Sequence, residues 1–126
     1  MSAMESGPGE LCIKSKIWIE DSDGQVVFGA GRLYILDAVS RRGSIHAAAQ
    51  ELRMSYRAVW GKLRATEKIL GQPLLTRKTG GIQGGGSELT PFARELIERF
   101  ERLQSVINGS ADELFRDLFI TGLRQK

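Results

Sequence analysis

Residues Ser44 to Thr90 read SIHAAAQELRMSYRAVWGKLRATEKILGQPLLTRKTGGIQGGGSELT, two short helical patterns around a break, then a basic, glycine-rich loop between two short apolar runs. Ser44 suits the N-cap of the first pattern, in which Ile45, Ala48, Ala49 and Leu52 share one stripe. Arg53-Met54 is the break, Ser55 suits the next N-cap, and Gly71 stops the second pattern after Leu70. Its buried side is expected to be Val59, Leu63, Thr66 and Leu70, at steps of four, three and four residues. That assignment leaves Tyr56, Arg57, Lys62 and Arg64 off the core. The short side chains of Ala47, Ala48 and Ala49 let two helices cross closely at a steep angle, the arrangement of a helix-turn-helix.

Downstream, Pro73 to Arg77 and Ser87 to Thr90 read as two strands around residues 78–86, whose five glycines permit backbone shapes closed to other residues. A β-hairpin placed directly after a helix-turn-helix is a wing. Thr90-Pro91 then supplies the N-cap and first position of a long helix, in which Phe92, Leu96, Phe100, Leu103 and Ile107 recur on one stripe. Ile97 and Val106 widen that stripe beyond what a small domain covers alone. Asn108-Gly109-Ser110 is expected to interrupt the helix, with Leu114, Phe115, Leu118 and Phe119 forming a further apolar face beyond it. Such a contiguous patch at a chain end marks an interaction surface, here most simply a second copy.

Upstream, Leu11, Ile13, Ile17 and Ile19 alternate with Lys14, Lys16, Trp18 and Glu20, and Asp23-Gly24 precedes Gln25 to Phe28. The spacing predicts a β-hairpin over 11–28. Gly29-Ala30-Gly31 breaks the strand. Leu33, Ile35 or Leu36, and Val39 then mark the inward side of a helix that Arg41-Arg42-Gly43 ends, with bases at the negative end of its dipole and glycine for a left-handed cap. Residues 1–10 read as a flexible tail.

The net charge of +3 is unevenly spread. Residues 32–78 carry ten lysines and arginines against three acids, a balance of +7, whereas residues 1–31 carry −3 and residues 79–126 carry −1. Localised positive charge is the footprint of a nucleic-acid binder. With 41% apolar and 26% charged residues the chain has a globular composition. There is no signal peptide and no apolar run long enough to span a membrane, so no membrane partner and a cytoplasmic location are expected. One cysteine, Cys12, and one histidine, His46, form neither an internal disulfide framework nor a Cys/His metal cluster.

Two glycine motifs are set aside. Residues 81–86 have the span of a phosphate-binding loop, but Ser87 stands where the lysine is required, and Gly29-Ala30-Gly31 lacks the third glycine of a dinucleotide fingerprint. His46 has no catalytic or metal-binding companion and reads as a helix-surface residue, near DNA or simply solvated. Neither an enzyme nor a cofactor is indicated.

The expected reader of nucleic acid is the helix opened by Ser55. Tyr56 and Arg57 in its first turn are assigned to base edges or groove, and Lys62 and Arg64 to phosphates. In the wing, Arg77, Lys78, Thr79 and Gly80 are assigned to phosphate or the minor groove. Trp60 follows the core position Val59 and is expected either to pack between helices or to lie along the backbone of DNA, burial being the commoner fate of a tryptophan body.

The succession AAAQEL, SYRAVW, LGQPLLTR and ELTPFA resembles the winged helix-turn-helix of LysR-type regulators. SYRAVW together with TGGIQGGGSELT is similar to the N-terminal DNA-binding domain of ModE-type molybdate-responsive regulators, a resemblance that covers about Leu11 to Ile107. It implies an α+β fold, mainly helical, with an N-terminal β-hairpin, a glycine-rich wing and a long C-terminal dimerisation helix. Those regulators continue into small oxyanion-binding domains, so with Lys126 as the last residue direct molybdate sensing is not expected, and a signal is expected through a separate sensor or transcription-machinery partner.

The expected organisation is therefore a tail over 1–10, a winged helix-turn-helix domain over 11–107 with its dimerisation helix at 91–107, and a helical extension over 108–126. The expected function is sequence-specific binding of a palindromic double-stranded operator by a homodimeric transcriptional regulator, with Phe92, Leu96, Phe100, Leu103, Ile107, Leu114 and Phe115 at the dimer seam. The competing expectation is a winged-helix module that binds proteins and has no operator specificity.

Overall fold

A computed structural model describes residues 10–78 and 86–121. The order of elements is β1 (Trp18–Glu20), β2 (Val26–Gly29), α1 (Ala30–Arg42), α2 (Ile45–Leu52), α3 (Tyr56–Leu70), β3 (Leu75–Lys78), β4 (Gly86–Leu89) and α4 (Pro91–Phe115), with a π-helical turn at Arg116–Thr121. Two compact units result: Ile17–Arg99, and a second that joins residues 10–16 to the chain from Phe100 onward.

In the larger unit, β1 and β2 pair antiparallel with a register shift between Ile19 and Glu20. The Asp21 carboxylate closes their turn by accepting from the amides of Asp23 and Gln25, each at 2.9 Å. Gly24 takes the left-handed conformation there, with φ 84°. The predicted hairpin is present but much shorter than the alternation from Leu11 implies. Strand β2 gives way to helix at Ala30, so β1 has no partner beyond Trp18, and residues 11–17 carry no ladder. Gly29 belongs to this close pairing, since a Cβ there would lie 2.9 Å from that of Trp18. Helix α1 starts at Ala30 and takes in Gly31, so of the expected break Gly29-Ala30-Gly31 only Gly29 lies outside the helix.

Phe28, Ile35, Leu36, Val39, Ala48, Val59, Leu63, Leu74 and Ala93 form the core of this unit, so β2, the first three helices, the wing entry and the start of α4 all contribute. Burying a large apolar side chain stabilises by about 1.5–3 kcal/mol. Thr66 is fully buried among them, and its hydroxyl donates to the Val27 carbonyl at 2.5 Å, tying α3 to β2. Leu70, expected in this core, is 36% exposed, because α3 ends there and the chain turns away at Gly71.

Strands β3 and β4 pair in uninterrupted antiparallel register from Leu75↔Leu89 to Lys78↔Gly86, as expected of a wing. Thr90 fastens its exit: the amide donates to the Leu74 carbonyl at 3.0 Å and the hydroxyl to the Pro73 carbonyl at 2.9 Å. The same hydroxyl oxygen caps α4 by accepting from the Ala93 amide at 3.1 Å.

In the smaller unit, α4 runs without interruption through Asn108, Gly109 and Ser110, where a break was expected. One glycine in a helix costs about 1 kcal/mol, too little to stop a helix that has no following proline. Asn108 is also held from outside the helix, its side-chain carbonyl accepting from the Ser15 hydroxyl at 2.6 Å. Phe115 and Phe119 stack with ring centroids 5.4 Å apart.

Candidate nucleic-acid interface

The residues that matter lie on α2, α3 and the foot of the wing, all within the larger unit. Helices α2 and α3 each begin with a serine cap: the Ser44 hydroxyl oxygen accepts from the Ala47 amide at 3.1 Å, and that of Ser55 from the Ala58 amide at 3.0 Å. Ser55 is thus first a cap, with its O–H still able to donate outward. Between the helices Arg53 adopts a left-handed conformation, φ 58°, and the Met54 amide donates back to the Ala49 carbonyl at 2.9 Å. This tight turn fixes the angle at which α3 leaves α2.

Val59, Leu63 and Thr66 hold one side of α3 in the core, as the spacing predicts. At 100° per residue the opposite side is Arg57, Gly61, Arg64 and Lys68, all exposed. Tyr56 and Lys62 flank the core stripe on opposite sides, so Lys62 is turned away from Tyr56 and the wing. Gly61, in the middle of this exposed side, has no atom within 4 Å of where a Cβ would stand.

Side chains from the three elements meet in an open groove of about 490 Å³, lined by Ser44, His46, Tyr56, Trp60, Leu75 and Arg77 among others. His46 stacks on Tyr56, with centroids 4.2 Å apart and planes inclined by 22°. Trp60, one turn further along α3, is half-buried, and the Arg64 guanidinium lies over its ring at 5.6 Å from the centroid. His46 and Trp60 therefore stand beside Tyr56 and Arg77 in this groove. Their contact with the groove has no local signature, since His46 and Tyr56 meet only through the angle of the turn.

Arg77 lines the groove, and its neighbour Lys78, next along β3, is also exposed. Thr79 and Gly80 lie outside the described residues. Among the described residues, ion pairs form at Arg41, Arg42 and Arg99, and none engages Arg57, Lys62, Arg64, Arg77 or Lys78. Their charge is therefore not neutralised by a carboxylate among the described residues.

Two further arginines brace the face from behind. The Arg32 Nε of α1 donates to the Lys62 carbonyl in α3 at 3.3 Å, and burial pushes its guanidinium below the ordinary arginine value. Arg41 bridges α1 and α2, reaching Asp37 at 2.9 Å and Glu51 at 2.5 Å. The hydrogen bond from Arg41 holds the Glu51 carboxyl below the usual glutamate range. Among the described residues no cluster of histidine, cysteine and carboxylate side chains is arranged to hold a metal, and no helix is long and apolar enough to cross a membrane.

The sequence pattern of bacterial regulatory helix-turn-helix proteins of the lysR family matches residues 31–94, from the first turn of α1 to the start of α4. The chain belongs to this LysR family. The chain is 40% identical over 107 residues to the molybdenum-pterin-binding protein MopB of Rhodobacter capsulatus, covering 83% of this chain and 38% of that one. It is 40% identical over 73 residues to the transcriptional regulator ModE of Haemophilus influenzae, covering 58% and 29% respectively. The LysR-type fold is also that of a solved CbnR_DBD-DNA complex, which is 27% identical with a TM-score of 0.53, over 70% of this chain and 95% of that one. The chain thus spans well under half the length of these two curated relatives.

Proposed function

We infer that this LysR-family chain is a sequence-specific, double-stranded-DNA-binding transcriptional regulator of ModE-like type, acting in the bacterial cytoplasm. One observation carries the reading: α3 and the wing foot present cations that have no carboxylate partners among the described residues, around a groove lined by the start of α2, α3 and the wing foot. Arg57 and Arg64 lie on the outward side of α3, where a recognition helix meets base edges and phosphates. Arg77 and Lys78 sit where a wing grips the adjoining backbone. Lys62, on the far flank, is assigned to phosphate alone.

A homodimer completes the reading. Leu103, Val106 and Leu114 remain exposed on α4, as do Leu118 and Phe119 beyond it, an apolar surface fit for a second copy. Two-fold symmetry then sets half-sites about 10 base pairs apart or a multiple of that. The molybdenum chemistry in the name of MopB is that protein's, and a separate sensor or a partner in the transcription machinery is the proposed source of any signal to this DNA-binding domain.

Selection of duplexes from a randomised pool by the intact chain tests this directly. A palindromic sequence should be enriched at about 150 mM salt, and its affinity should fall steeply as salt rises. Replacing Lys78 by alanine should reduce the slope of log affinity against log salt by about 1 per subunit, about 2 for the dimer, whereas Arg57→Ala should chiefly relax base preference. No preference over random DNA would overturn the reading.

A further inference from the structure

We propose that His46, Tyr56 and Trp60 form a preset aromatic strip that reads thymine 5-methyl groups in the major groove, a specificity device that rests on the DNA-binding reading above. Tyr56 occupies the first position of α3, the part of a recognition helix that reaches base edges, and it is 41% exposed. Trp60 lies one turn below it and lines the same groove. Among base edges in the major groove, the thymine methyl is the one apolar feature. An aromatic edge aimed there gains by excluding water from that methyl, and loses this gain against cytosine, guanine or adenine.

The strip is held before any ligand arrives. His46 covers one face of the Tyr56 ring at a centroid distance of 4.2 Å, and Arg64 covers the Trp60 ring at 5.6 Å. Each contact removes rotamer freedom in the free protein, which lowers the entropy lost on binding. Tyr56 is thus a direct contact, Trp60 extends the apolar surface, and His46 is a positioning residue that acts through Tyr56. Arg77 at the groove's edge supplies the phosphate anchor that holds the strip in register. The cations at phosphates favour any duplex and Arg57 reads base edges by hydrogen bonding; the rings add a preference for thymine at fixed positions.

The test begins with the duplex that the intact chain selects from a randomised pool, in which each thymine is replaced in turn by deoxyuridine, deleting the methyl and nothing else. At one or two positions per half-site affinity should drop about fourfold, the effect of one buried methyl. Tyr56→Ala should bind thymine and deoxyuridine duplexes equally while keeping its melting temperature. His46→Ala should weaken the discrimination and His46→Phe, which preserves the stack, should restore it. Equal wild-type affinity for every thymine and deoxyuridine duplex, or a selected half-site without thymine, overturns the strip and leaves sequence-specific binding standing. Failure to select any duplex removes the DNA-binding reading and the strip together.

Discussion

The amide of Ser87 donates to the carbonyl of Gly43 at 2.9 Å, so the returning strand of the wing is fastened to the turn between α1 and α2. The approach is close enough that a Cβ on Gly86 would stand 3.0 Å from the same carbonyl. The wing is therefore mounted on the helices at its foot.

Gly43→Ala tests that mounting. Gly43 has φ 86°, a left-handed conformation that disfavours side chains, and alanine there should lower stability by about 1–2 kcal/mol. Urea unfolding followed by circular dichroism measures it. A value near zero would mean that the turn relaxes without loss.

Thr66→Val removes a buried donor and preserves shape. The Val27 carbonyl loses the hydroxyl that reaches it at 2.5 Å, so a loss of about 1–3 kcal/mol is expected from the same unfolding measurement. Thr66→Ser should retain most of that contribution.

Acid should weaken the join between α1 and α2. Folding lowers the Glu51 pKa through the hydrogen bond from Arg41, so the stabilisation is complete above the unfolded glutamate's value and is lost as pH falls through the lower folded value. Melting temperatures of wild type and Glu51→Gln should differ at neutral pH and converge on the acid side. A constant difference across that window would remove Glu51 as its source.

Association is best probed at Val106, which is 63% exposed on α4. Val106→Asp should leave the helical circular-dichroism spectrum unchanged at low temperature and shift sedimentation from dimer to monomer, because a carboxylate in an apolar seam is unpaired. Phe100, named for the seam from sequence, is 2% exposed within the single chain, so its replacement would report on folding instead. A wild-type chain that sediments as a monomer would contradict the dimer.

What was legible in the sequence was what local chemistry decides. Ser44 and Ser55 cap helices, and Gly43 and Gly71 end them, because each forms its bond within a few residues. The core faces of α2 and α3 followed from spacing for the same reason. What was missed depends on distant partners. The alternation from Leu11 continued past the point where β2 could pair with it, and Leu70 kept the helical period after the core had ended. Asn108 to Ser110 looked like a break because the Ser15 contact, 93 residues away, is invisible locally. Trp60 is half-buried, and its position after Val59 says nothing of the groove that α2 and the wing complete beside it.

Gly61 carries a last consequence. It is exposed in the interior of α3 with open space where a side chain would fit, and alanine there should raise stability by about 1 kcal/mol, roughly 4 °C in melting temperature. The chain forgoes an improvement one substitution away, at the centre of its outward-facing helix. A firmer Gly61→Ala protein that holds duplex less tightly would show that the empty space there is shaped for an incoming surface. One that holds it equally well would be a ready starting scaffold for redesigning the reader, with stability to spare for destabilising changes elsewhere.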